Sequence, residues 1–287
     1  MRIQLKVVSS IAILAVALSP FYAVRSMNYL YQTAKQQKSD WSLMEKKSDQ
    51  RTGTVNKFPS SISPIIPSVG RLDGDNWLDL HDKLVDTVKA NQAPIDILLV
   101  GDSITQQWGS TINNKPLNAS WQKHFAKYKT INIGISGDKT ENVLWRLDRS
   151  GIESLQPRLV ILLVGVNNMF AVPDVGSELV AKGIKLCVEK IRKKLPQAEV
   201  LVVKILPAYG LESNYYQYIK QTNRDLDRLK LNRDPKVHTL DLWNQMVNRD
   251  GSLKKELFLD KVHLSQSAGY GLYANQLQPI VKKLLDK

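Results

Sequence analysis

The chain has 287 residues, of which 43% are hydrophobic, 23% charged and 7% aromatic, a balance that excludes a wholly disordered, collagenous or multi-span membrane protein. Its net charge of +13 is spread out, with ten basic and four acidic residues over 1–74 and thirty and twenty-three over 75–287, so the longer part is only mildly basic and no nucleic-acid partner is expected. The one cysteine, Cys187, excludes an intramolecular disulfide or a thiolate metal cluster and reads as part of a packed helix face.

In chain order, Arg2 and Lys6 precede an uncharged stretch from Val7 to Val24 that is closed by Arg25. Residues 1–24 read as a signal peptide or membrane anchor, which predicts an extracytoplasmic protein, secreted or held at a membrane through residues 7–24. Residues 25–74 mix Lys, Gln, Ser and Asp before a run with Pro59, Pro64 and Pro67, whose rings forbid a regular helix, so this segment reads as a flexible spacer.

From Asp75 onward, apolar strands alternate with amphipathic helices. The strands are expected at 95–100, 130–133, 159–164, 200–205 and 237–240. Helices are expected near 76–91, 119–127, 139–149, 176–194, 214–231 and 266–285. Short Val-, Ile- and Leu-rich strands separated by helices predict a single three-layer α/β domain over 75–287, with a parallel sheet covered on both faces.

In such sheets the site forms beyond the carboxyl ends of the strands. Gly101-Asp102-Ser103-Ile104 follows the first strand, Gly134-Ile135-Ser136-Gly137-Asp138 the second and Gly165-Val166-Asn167-Asn168 the third, while Asp260-Lys261-Val262-His263 lies near the C-terminus. Each block alone reads equally well as a turn, a positive-φ glycine or a helix cap. Together they supply an acyl-transfer site: Ser103 as the hydroxyl, His263 as its base, Asp260 to orient the base, and the amides of Ser103 and Gly137 with the Asn167 side chain as an oxyanion hole. His81 and His124 fall in helices and His238 in a strand, whereas His263 sits in a loop beside a carboxylate. The three-residue spacing from Asp260 puts both side chains on one face of a single helical turn.

The four blocks, in this order and spacing, resemble the SGNH hydrolases, also called GDSL esterases and lipases, over essentially all of 75–287. Asn132–Asp138 followed by Val143-Leu144-Trp145-Arg146-Leu147 is similar to the branch containing the platelet-activating-factor acetylhydrolase catalytic subunits. The resemblance implies a flavodoxin-like sheet of order 2-1-3-4-5, Ser103 as nucleophile, Asp260 and His263 completing a triad, Gly137 and Asn167 as oxyanion donors, and no metal or organic cofactor. It departs from the family at Val166, where many members carry threonine. The expected activity is hydrolysis of a small-molecule or saccharide carboxylic ester, with short acyl chains favoured if Met169 and Phe170 close the pocket. Transfer of the acyl group to another hydroxyl and an inactive binding module are the alternatives; neither Gly-x-Gly-x-x-Gly nor a Walker loop supports a nucleotide-binding reading.

Overall fold

The computed structural model of the protein describes residues 64, 77–91, 94–110, 115–171 and 176–286. The export or anchor segment 1–24 lies outside the described residues, as does the 25–74 spacer except for Pro64. That residue is buried, and its carbonyl oxygen accepts from Thr140 Oγ1 at 2.9 Å. Among the described residues no helix is long and apolar enough to cross a membrane.

Five strands form one all-parallel sheet: β1 (Ile97–Gly101), β2 (Thr130–Asn132), β3 (Leu159–Leu163), β4 (Glu199–Val203) and β5 (Val237–Leu240), in the order β2-β1-β3-β4-β5. Leu98 pairs with Ile131, Leu99 with Ile161 and Val160 with Val200. Every residue of β1 and β3 is buried, which is why these strands are continuous aliphatic runs without polar alternation. The expected sheet and strand order are observed. The strand bounds move by a residue or two; Ile95, for example, stays outside β1 because its amide donates to Leu155 O.

The helices are α1 (Trp77–Ala90), α2 (Ser103–Gln106), α3 (Ala119–Phe125), α4 (Thr140–Arg149), α5 (Ser177–Lys194), α6 (Asn214–Arg228), α7 (Trp243–Met246) and α8 (Ala268–Leu285). α4, α5 and α6 pack in a row on one side of the sheet, and α3 packs with α8 on the other. The four-residue α2 and α7 were not anticipated, because a single turn carries no hydrophobic periodicity. Cys187 lies buried on α5 as expected, and burial pushes its thiol pKa well up.

The layer of α3 and α8 braces the end of β1. Trp108 meets Trp121 at 5.2 Å and Tyr270 at 4.5 Å between ring centroids, both edge-on. Tyr270 then donates its hydroxyl proton to Ile104 O at 2.7 Å. The aromatic cluster thus holds the turn that carries Ser103.

Candidate active site

β1 delivers Ser103 to the carboxyl edge of the sheet as the first residue of α2. Asp102 caps that turn in extended conformation, its Oδ1 accepting from the Ile104 amide at 3.0 Å. Its Oδ2 is buried and has no hydrogen-bond partner among the described residues. Burial therefore raises the Asp102 carboxyl to about 7; the Ile104 hydrogen bond opposes this shift and the nearby Asp138 charge adds to it.

His263 reaches Ser103 from the far end of the chain, with Nε2 2.9 Å from Ser103 Oγ. Behind it, Nδ1 lies 2.7 Å from Asp260 Oδ2. The helical turn expected over Asp260–His263 does not form. The segment is instead a bend closed by an antiparallel bridge between Phe258 and Leu264, with Leu259 N donating to His263 O at 2.8 Å. Asp260 Oδ1 takes the Val262 and His263 amides at 2.7 Å each, so the carboxylate folds its own bend and positions the imidazole together. Burial pushes the Asp260 pKa up, but the His263 amide and ring and the Val262 amide outweigh it and hold the carboxyl below its ordinary range. The side chain is 52% exposed, so this carboxylate works at the rim of the site.

The turn after β2 carries Gly137 at φ +77°, a left-handed conformation that glycine adopts without strain. Its amide and that of Ser103 have no hydrogen-bond acceptor among the described residues. The 3₁₀ turn after β3, Val166–Ala171, carries Asn167, whose Nδ2 donates to Asp138 O at 3.0 Å and ties this turn to that of Gly137. Of the five predicted residues, Ser103, His263 and Asp260 are therefore linked in one hydrogen-bonded series, and Gly137 and Asn167 sit on two turns joined to each other.

The remaining histidines stand apart. His81 packs between Trp77 and Trp145, at 6.2 and 4.8 Å between ring centroids, and His238 pairs with Glu199 at 2.8 Å. Met169 does not border an open pocket: it is 1% exposed and belongs to the hydrophobic core. The side chain of Phe170 lies outside the described residues. Among the described residues no group of three or more His, Cys, Asp or Glu is placed to hold a metal ion.

Sequence reasoning did not find the polar residues buried beneath the site. Arg146, Asp138, Glu141 and Asn168 are all nearly inaccessible; Asp138, Asn168 and Arg146 stand within the blocks read from the sequence, though nothing there marks them as buried, and Glu141 stands in none. Asn132, also buried, uses Nδ2 to donate to Thr105 O at 2.7 Å and to Gly109 O, and uses Oδ1 to accept from Gly134 N at 2.9 Å, which joins the turns after β1 and β2.

The model of the GDSL-like lipase/acylhydrolase family matches residues 99–272. The chain is 31% identical over 215 residues to platelet-activating factor acetylhydrolase IB subunit alpha1 from Pongo abelii, covering 75% of this chain and 87% of that protein. Among solved structures it is similar to a GDSL-like lipase from Bacteroides thetaiotaomicron, with TM-score 0.57, 18% identity and coverage of 72% of this chain and 99% of that one. It is also similar to an acetyl xylan esterase, with TM-score 0.51, 22% identity and coverage of 65% and 100%.

Proposed function

The chain belongs to the GDSL-like lipase/acylhydrolase family, and from that premise we propose that it is a serine esterase hydrolysing short-chain, above all acetyl, esters. The observation that carries this reading is the series Asp260–His263–Ser103, at 2.7 and 2.9 Å, at the carboxyl edge of a parallel sheet. His263 Nε2 takes the Ser103 proton as Oγ bonds to the ester carbonyl carbon. The carbonyl oxygen, now negative, accepts from the amides of Ser103 and Gly137 and from the Asn167 side chain. Collapse breaks the ester C–O bond, and His263 gives its proton to the departing alcohol. Water, deprotonated by the same nitrogen, then releases the acid and restores Ser103. Asp260 keeps the imidazole oriented and stabilises its charged form.

The acetyl preference draws support from the names of the curated relatives, acetylhydrolase subunits, and of the acetyl xylan esterase. The leaving alcohol is accordingly a small molecule or a saccharide. In this reading residues 7–24 carry the enzyme out of the cytoplasm, to be secreted or held at a membrane; fractionation that finds the intact chain only in soluble cytoplasm would contradict that part.

The test is hydrolysis of p-nitrophenyl esters from acetate to decanoate by the wild-type protein and Ser103→Ala. The nucleophile variant should lose activity by several orders of magnitude, on the order of 10⁶ in a comparable triad. Each methylene that fits an apolar groove adds about 0.8 kcal/mol, so a kcat/KM that rises steadily through octanoate would sink the acetyl preference.

A further inference from the structure

The oxyanion donors Gly137 and Asn167 stand on different turns, one after β2 and one after β3, so their separation has to be fixed by whatever joins those turns. A misplacement of about 1 Å in such a constellation costs on the order of 10²-fold in rate. Beyond the Asn167–Asp138 contact, the joint is made by Asn168, the neighbour of the donor. Its Oδ1 accepts from the Thr140 amide at 3.1 Å, and its Nδ2 donates to Thr140 Oγ1 at 3.2 Å and to Glu141 Oε2 at 2.9 Å. Its own amide donates to Gly165 O at 3.1 Å. The Thr140 hydroxyl donates to Pro64 O at 2.9 Å, nearer than Glu141 Oε2 at 3.3 Å, so that of the two side chains reaching Glu141, Asn168 makes the shorter contact, at 2.9 Å.

Glu141 is an unusual residue to find there. An acidic side chain in the first turn of a helix complements the dipole equally well from the surface. This one is 1% exposed, and burial raises its pKa against the opposing hydrogen bonds and the Lys139 charge. Burying a carboxylate costs desolvation that its hydrogen bonds to Asn168 and Thr140 offset only in part, since its pKa stays raised.

We propose that Glu141 is a positioning residue: by fixing the Asn168 amide it sets where Asn167 presents its N–H to the oxyanion. The proposal rests on the esterase reading above. It requires the effect of Glu141 to pass through Asn167, which separates it from a purely structural role.

The experiment measures kcat and KM for p-nitrophenyl acetate in the full-length protein carrying Glu141→Ala, Glu141→Gln, Asn167→Ala and each pair with Asn167→Ala, with Tm recorded for all. Glu141→Ala should lower kcat roughly tenfold with KM changed by less than about twofold, and Glu141→Gln, which keeps an acceptor for Asn168 Nδ2, should restore most of the rate. In the Asn167→Ala background, Glu141→Ala should change kcat by less than about twofold, since the group it positions is gone. Equal losses in both backgrounds, an unchanged kcat in folded Glu141→Ala, or an effect on KM alone would overturn the proposal. Should Glu141→Ala not fold, Glu141→Asp takes its place in the same cycle with the same expectations, because it keeps the charge but is too short to reach Asn168. A full rate in Asn167→Ala also overturns it, whereas failure of the esterase reading itself shows as full activity in Ser103→Ala.

Discussion

Arg146 and Asp138 form an ion pair sealed from solvent, with Nη2 and Nε at 2.6 and 2.7 Å from the same Oδ2. Trp77 Nε1 donates to the other carboxylate oxygen at 2.7 Å, and Arg146 also donates to Ile133 O at 3.0 Å and to Gly101 O at 3.3 Å. One guanidinium thus ties the end of β1 to the turn that carries Gly137. Removing one member of a buried pair strands the other charge, so Arg146→Ala should destabilise the fold by about 3–5 kcal/mol. At this domain size each kcal/mol is roughly 2–4 °C of Tm. Thermal melts check the expectation, and a drop within experimental error would show that the pair is dispensable.

In the proposed mechanism, Asn167→Ala removes a donor that serves the charge developing on the carbonyl oxygen. The expected result is a kcat lower by roughly 10²- to 10³-fold with KM nearly unchanged. Steady-state kinetics on p-nitrophenyl acetate separate this from a substrate-binding role, which would raise KM instead.

Asp260→Asn keeps the shape of the bend but cannot offer two charged acceptors to the ring and the two amides. A drop in kcat of roughly 10²- to 10⁴-fold is expected. The depressed Asp260 pKa also has a stability consequence: its contribution is present above the ordinary carboxylate range and is lost as the pH falls through the lower folded-state value. Acid titration of Tm should show the wild type losing this increment and Asp260→Asn lacking it.

Asp102 behaves in the opposite sense. Its folded-state pKa, about 7, stands above the ordinary 3.8, so the folded state favours the protonated form. The stability it supports is fully present below pH 3.8 and is lost as the pH rises through about 7. Asp102→Asn retains a side-chain oxygen to cap Ile104 and cannot ionise. Its Tm should exceed that of the wild type at pH 8 and approach it at pH 4; equal differences at both pH values would show that Asp102 does not titrate in this window.

The strands and the candidate residues Ser103, Asp260 and His263 were legible because each leaves a local mark: unbroken branched aliphatic runs for β1 and β3, and one histidine beside a carboxylate in a loop for His263. The three-residue spacing of Asp260 and His263 was read as a helical turn, since the sequence does not reveal that Asp260 would cap the two amides itself. The burial of the polar layer beneath the site was not legible. On α4 the residues Thr140, Glu141, Asn142 and Arg146 face inward, contrary to the amphipathic pattern that assigns charged residues to water. Their partners are remote in sequence: Trp77 lies 61 residues before Asp138, and Asn168 lies 27 residues after Glu141. Contacts of that kind leave no periodicity to read.

Gly183 on α5 bears on where the folded unit can be cut. A Cβ there would stand 2.6 Å from Pro64 O and 2.6 Å from Thr140 Oγ1, so the absence of a side chain opens the seat into which Pro64 fits. A protease acting on the native chain should accordingly leave a resistant core that begins ahead of Pro64, not at Asp75 where the helical pattern starts. N-terminal sequencing of a limited digest would locate that end, and Gly183→Ala, by filling the seat, should shift it toward Trp77.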